Sequence, residues 1–298
     1  MDAWPDKPRL LISYAYQSVI LGVIRNTKDM PLDLIVDSGA FTAASAGKVI
    51  DLNEYAEFLR EHQSRISHAV TLDVIGDWRA TAKNHDLMQA RLPDMDVVPT
   101  WHIGSPEHEL RRLCRDFNYV AIGGAVPYAK YPKILMKHLI RVHQIAREAD
   151  TRLHGLGITG KTAMMRLPWH SVDSSAWTRG HRYGGIDLTD ARGQMQSVTF
   201  GTKLSMKHRQ LVRAYDGDPD LIETPGFNLR SSVGDRVATD SRWVCEAAAR
   251  SFMLAEVAAH RKNQAQMRLH LASTNANNLT WGARAWNLGS PFKKRGEQ

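Results

Sequence analysis

Residues 34–41 read Leu-Ile-Val-Asp-Ser-Gly-Ala-Phe. Three apolar residues in a row, two of them β-branched, make a short strand, and the aspartate, serine and glycine behind them make a turn. The same pattern recurs on both sides. Leu10–Tyr14 precedes it, and Ala69–Val74, Val97–Trp101, Tyr119–Ile122, Leu153–Ile158 and a short run near Val172 follow it. These runs are rich in Val, Ile and Leu without strict alternation, which marks strands covered on both faces, as in a parallel sheet. Amphipathic stretches fill the gaps. Leu52, Tyr55, Phe58, Leu59 and Ile66 share one helical face, and Ile134, Leu135, His138, Leu139, Val142 and Ile145 share another. Ser105 followed by Pro106 reads as an N-cap and a first-turn proline.

Seven strand–helix units in series define an α/β protein and leave two architectures, a closed (β/α)8 TIM barrel and an open doubly wound sheet. We read the barrel over residues 1–202, with Ser197–Gly201 as its eighth strand. Residues 203–298 then form a helical, basic C-terminal part packing on it, clearest at Ser241–His260, with Asp216–Pro225 as a turn-rich connector.

The 298 residues carry 39 Lys and Arg against 31 Asp and Glu, a net charge of +8. From Lys203 onward there are 15 basic and nine acidic residues, so most of the excess lies late. A basic excess points to a polyanionic partner, with a solvated basic surface as the plain alternative. Two cysteines, Cys114 and Cys245, exclude a disulfide scaffold and any site with three or four cysteine ligands, and they fit a reducing cytoplasm. The acidic start Met1-Asp-Ala-Trp-Pro-Asp does not read as a signal peptide, and no apolar run is long enough to span a membrane.

In either architecture the chemistry sits at the carboxyl ends of the strands. There the sequence places Asp37-Ser38-Gly39-Ala40-Phe41, Asp73 with Asp77 beyond it, Trp101-His102, Gly123-Gly124-Ala125, Leu156-Gly157 and Asp173. Each aspartate alone reads as well as a helix cap or a turn residue. Three of them, each after an apolar strand, form a candidate catalytic set. Gly155–Gly160 also matches the dinucleotide fingerprint G-x-G-x-x-G, with Asp173 near the distance of a ribose-binding acid. Pro168 stops the following segment too early for the usual crossover helix, and the motif stands sixth in strand order, which weakens that reading. The 13 histidines show no metal-ligand spacing.

These rim residues, in this order, resemble the tRNA-guanine transglycosylase superfamily. The closest resemblance is to its DNA-directed branch, the DpdA-like transglycosylases of phages and bacterial DNA-modification clusters. The resemblance runs from about Asp33 to Gly184. It implies a (β/α)8 barrel that exchanges guanine for a 7-deazaguanine base, as queuine tRNA-ribosyltransferases do in tRNA. Asp37-Ser38-Gly39-Ala40-Phe41 is similar to the D-S-G-G-F motif, which makes Asp37 the general acid/base and stacks Phe41 on the base. Asp73 falls at a base-reading aspartate, and Gly123-Gly124-Ala125 at a loop whose amide binds the base carbonyl. Leu156-Gly157 falls where a methionine and glycine cover the other face of the base, and His102 near a glutamine. Val172-Asp173 resembles the strand that ends in the nucleophile. Thr178-Arg179-Gly180-His181-Arg182-Tyr183-Gly184 resembles the segment whose arginines touch nucleic acid. Ser38 and Gly123 complete the implied base-binding set.

The chain departs from the tRNA enzymes in lacking the cysteines of their zinc site, which favours DNA as substrate. The implied partners are DNA and a free 7-deazaguanine base, with no membrane. Self-association and protein partners are left open. Base exchange by two carboxylates needs no metal or redox cofactor, so none is expected. Implied localisation is the cytoplasm, that of the host if a phage encodes the chain. A queuine- or archaeosine-type tRNA-guanine transglycosylase is the alternative. A catalytically silent nucleic-acid-binding barrel, an unrelated barrel hydrolase and a nicotinamide-linked oxidoreductase are further ones.

Overall fold

The computed structural model describes residues 4–128, 130–158, 161–178, 184–225, 235–263 and 267–292. It divides into two compact units. One comprises Arg9–Ser174 with Ala265–Thr274, and the other Met1–Pro8, Ser175–Gln264 and Asn275–Gln298.

The first unit is an α/β barrel. Its strands are β1 (Arg9–Ser13), β2 (Asp33–Asp37), β3 (His68–Val70), β4 (Val97–Val98), β5 (Thr100–His102), β6 (Tyr119–Gly123), β7 (Arg152–Gly155) and β8 (Ser171–Ser174), completed late in the chain by Arg268–Ala272. Their order is β4-β3-β2-β1, then Arg268–Ala272, then β8-β7-β6-β5, and every pairing is parallel. β4 and β5 are halves of one extended segment divided by Pro99. The Val98 carbonyl accepts the Thr71 amide on one side, and the Pro99 carbonyl accepts the Ala121 amide on the other. Nine strands therefore occupy eight positions, and the ring closes through this segment. Leu11, Ile35, Val70, Val98, Tyr119 and Ala121 form one buried cluster, with Leu156 and Ala272 packed against it.

Strands are separated by helices of the expected kind. Tyr55 and Leu59 of α1 (Leu52–His62) and Leu139, Val142 and Ile145 of α2 (Pro132–Glu148) are buried, as their helical spacing requires. Ile134, in the first turn of α2, is exposed instead. The helix after β5 begins at Glu107 with Pro106 in the cap position, so Ser105 is not its N-cap.

The eighth strand is not Ser197–Gly201. Met195–Thr199 pairs antiparallel with Gly185–Thr189 in a separate two-stranded sheet of the second unit. Its residues are mostly exposed or half-exposed, whereas Leu269, His270 and Leu271 are buried. A hairpin strand tolerates water on one face, but a strand of a closed parallel barrel does not. The barrel thus ends at Ser174 rather than at 202 and recovers its last strand from the region read as wholly helical.

In the second unit Ser251, on the long helix Asp235–Asn263, hydrogen-bonds the Thr189 amide through its hydroxyl and the Thr189 hydroxyl through its carbonyl, both at 2.8 Å. Tyr215 donates to the Thr189 carbonyl, and Trp243 to that of Tyr215. Among the described residues no helix is long and apolar enough to cross a membrane.

Candidate active site

A cavity of about 570 Å³ opens at the carboxyl ends of the barrel strands. Asp37, Phe41, Asp73, His102, Gly123, Gly124, Leu156, Gly157 and Asp173 all line it. They come from six stretches of sequence and meet because parallel strands end at one rim.

Asp37 closes β2. The turn behind it requires Gly39, which has φ +78° and stands where a Cβ would strike the Ser13 hydroxyl and Ala15. The Gly39 amide donates to Asp37 Oδ2 at 3.1 Å. Phe41 follows in a short helix, 55% exposed over the cleft. Ser38 is fully buried and does not face the cavity; its hydroxyl donates to Asp73 Oδ1 at 2.9 Å. Beneath the two aspartates the Tyr55 hydroxyl lies 3.1 Å from the Val36 carbonyl and 3.0 Å from that of Val70, tying the ends of β2 and β3 together.

His102, at the end of β5, places Nε2 2.8 Å from Asp73 Oδ2. Asp73 is therefore held by both oxygens, each keeping a second lone pair for a ligand. A Cβ on Gly123 would lie 2.6 Å from the His102 ring, so the glycine makes room for that pair. Gly124, at φ +77°, packs against the Ile103 backbone in the same way.

Asp173, on β8, is nine-tenths buried and accepts the Gly157 amide on Oδ1 at 2.7 Å. Among the described residues no partner occupies its Oδ2. Behind it, away from the cavity, His154 of β7 brings Nε2 to 3.5 Å of the same Oδ1.

The three carboxylates shift the first of them. Burial is the largest cause, followed by the charges of Asp73 and Asp173, and together they raise Asp37 from 3.8 to about 7 despite the amides of Gly39 and Ser38. An acid poised there can give or take a proton near neutral pH. Among the described residues no lysine or arginine lines the cavity.

Sequence reading missed part of the wall. Ile75, Gly76 and Trp78 follow β3, Ser105 and Pro106 follow β5, and Val126 and Pro127 follow β6. Apolar loop residues after a strand carry no chemical signal of their own, although their place past strand ends was readable. Arg179 and Arg182 lie outside the described residues. Gly155 of the G-x-G-x-x-G match is packed against Ile158 and Trp169, and Gly157 serves Asp173. A comparison with known protein families finds no match to this chain, and neither does a comparison with curated proteins.

Proposed function

We propose that this protein is a DNA-guanine transglycosylase, which exchanges guanine in DNA for a 7-deazaguanine base through a covalent aspartyl–sugar intermediate. One observation carries the reading. The cleft sets three carboxylates and a histidine beneath the apolar walls of Phe41, Ile75, Trp78 and Leu156, with no cation among its described lining. A phosphate-bearing cofactor would set its charge against three carboxylates with no lysine or arginine among the described lining to offset it. A neutral, flat heterocycle with N–H donors along one edge suits acidic acceptors between apolar faces. Guanine and its 7-deaza analogue share such an edge, and Asp73 is oriented to accept from it.

In the first half-reaction Asp173 Oδ2 attacks the sugar C1′. The C1′–N9 bond breaks, its electron pair leaves with guanine, and guanine takes a proton from Asp37. The incoming base then gives its ring proton to Asp37 and attacks C1′ from the other side. The C1′–Oδ2 bond breaks and the pair returns to Asp173. Two displacements retain the anomeric configuration. In duplex DNA the target nucleotide must leave the stack, at about a few kcal/mol. Phe41, Ile75 and Val126, each more than half exposed around the mouth, offer apolar contact for that displaced geometry. Phosphate contacts fall to Arg179 and Arg182 on the strength of the resemblance alone. The two cysteines cannot build the zinc site of the tRNA enzymes, and this supports DNA over tRNA.

The test is nucleoside mass spectrometry of DNA and tRNA from cells that express the protein with a deazaguanine supply. The expected result is a deazaguanine nucleoside in DNA, lost with Asp173→Asn. Modified tRNA alone would transfer the assignment to the tRNA-directed reading, and modification of neither would overturn both.

A further inference from the structure

His154 lies wholly inside the barrel, and the reaction as written does not use it. Its Nδ1 is 2.6 Å from the Ser171 hydroxyl oxygen, and the same oxygen is 2.6 Å from the Tyr119 hydroxyl. All three residues are buried. The protons of this chain can be assigned. If His154 Nδ1 carried the only ring proton, Nε2 would present a bare lone pair to the Asp173 carboxylate, and a Ser171 or Tyr119 proton would have no acceptor. Buried polar groups do not tolerate that arrangement. The order that gives both hydroxyl protons an acceptor runs one way. Tyr119 donates to Ser171, Ser171 donates to His154 Nδ1, and the ring proton is left on Nε2. Nε2 is buried with no hydrogen-bond partner among the described residues, and the acceptor it faces is Asp173 Oδ1 at 3.5 Å.

Building on the reading of Asp173 as the nucleophile, we propose that His154 is its positioning residue. Held by Tyr119 and Ser171, it works with the Gly157 amide to engage Oδ1, reserving Oδ2 for the sugar. The 3.5 Å separation is longer than a good hydrogen bond, and such contacts tighten once substrate is bound. The pair of donors acts unequally on the two half-reactions. In the free carboxylate Oδ1 carries half the charge and accepts strongly. In the glycosyl ester Oδ1 is a neutral carbonyl oxygen and accepts weakly. Donors on Oδ1 therefore favour the step in which C1′–Oδ2 breaks and the electron pair returns to Asp173. His154 makes Asp173 a better leaving group and prevents the intermediate from stalling.

The experiment measures two quantities on an oligonucleotide that the wild type modifies. One is the rate of labelled-base exchange; the other is the fraction of protein bound covalently to DNA on a denaturing gel. His154→Phe fills the space without a donor. It should slow exchange about 10- to 100-fold, the size of a lost charge-assisted hydrogen bond, while the bound fraction rises. His154→Gln restores an N–H and should recover most of the rate. Tyr119→Phe removes only the far hydroxyl and should shift both readouts in the same direction by less; it keeps the question answerable if His154→Phe does not fold. An unchanged bound fraction in folded His154→Phe and Tyr119→Phe would overturn the proposal, as would equal impairment of His154→Phe and His154→Gln. A wild type with neither exchange nor adduct would instead overturn the reading of the site.

Discussion

β2 carries an aspartate at each end, four residues apart. Asp33 enters the barrel floor beside a buried cation, Arg9, and a buried histidine, His270. Arg9, its register partner on β1, has Nε 3.7 Å from one carboxylate oxygen, and His270 has Nε2 3.7 Å from the other. Asp37 leaves at the rim and meets Asp73 and Asp173 instead. One end neutralises its charge, while the other crowds like charges together and holds a proton as a result. A fold selected for stability alone would treat both ends alike. Under the proposed function, the repulsion left at the rim is where stability gives way to reactivity.

Substitutions can break this contrast, beginning where the effect is largest. Asp173→Asn should lower base exchange by about 10⁴-fold or more and abolish the covalent adduct, since an amide cannot serve as the nucleophile. Labelled-base incorporation and a denaturing gel measure both. Asp37→Asn should slow exchange by about 10²–10⁴-fold. It should also make the protein more stable at high pH. The unfolded chain releases this proton near 3.8, whereas the folded chain holds it to about 7. The contribution of Asp37 to stability therefore declines as pH rises between those values, and the loss is complete above about 7. Urea melts at pH 8 should show Asp37→Asn ahead by about 2–4 kcal/mol, with the gap closing toward pH 4.

Asp33→Asn should do the reverse. It takes a buried counter-charge from Arg9, so stability should fall by about 3 kcal/mol while the exchange rate of the folded fraction is unchanged. If Asp33→Asn reduced turnover as strongly as Asp37→Asn, the two ends would not be functionally distinct. The smallest effect is expected from Phe41→Ala. Loss of one stacking face should weaken base binding by about 1–3 kcal/mol, read as a raised KM for the free base, and leave the melting midpoint nearly unchanged.

The barrel was legible because closed parallel strands must be apolar on both faces, and the runs at Leu34, Val97 and Tyr119 say so without a periodic signal. The eighth strand was not legible. Leu269-His270-Leu271 is interrupted by a histidine that its partner Asp33 explains, and Ser197–Gly201 offered a better-looking run nearer the other strands. Similar limits apply at the site. Asp37, Asp73 and Asp173 could be placed from strand ends alone. The raised pKa of Asp37 could not, because it depends on distances among three strands. His154 sits in an apolar run where a histidine reads as core filler; only its alignment with Ser171 and Asp173 reveals a direction. Ser38 was counted among base contacts, yet the structure turns it to Asp73.

The late arrival of Arg268–Ala272 has a consequence for biosynthesis. Seven strand positions have been made once Ser174 is translated, but β1 and β8 face a gap until the chain reaches residue 268. At about 5–20 residues per second, the intervening stretch takes about 5–20 s to translate. Throughout that interval two strand edges present unpaired amides and carbonyls, the feature by which one nascent chain captures another. A product truncated before Arg268 would retain both edges permanently, so premature termination or proteolysis there should yield aggregates rather than a smaller folded barrel.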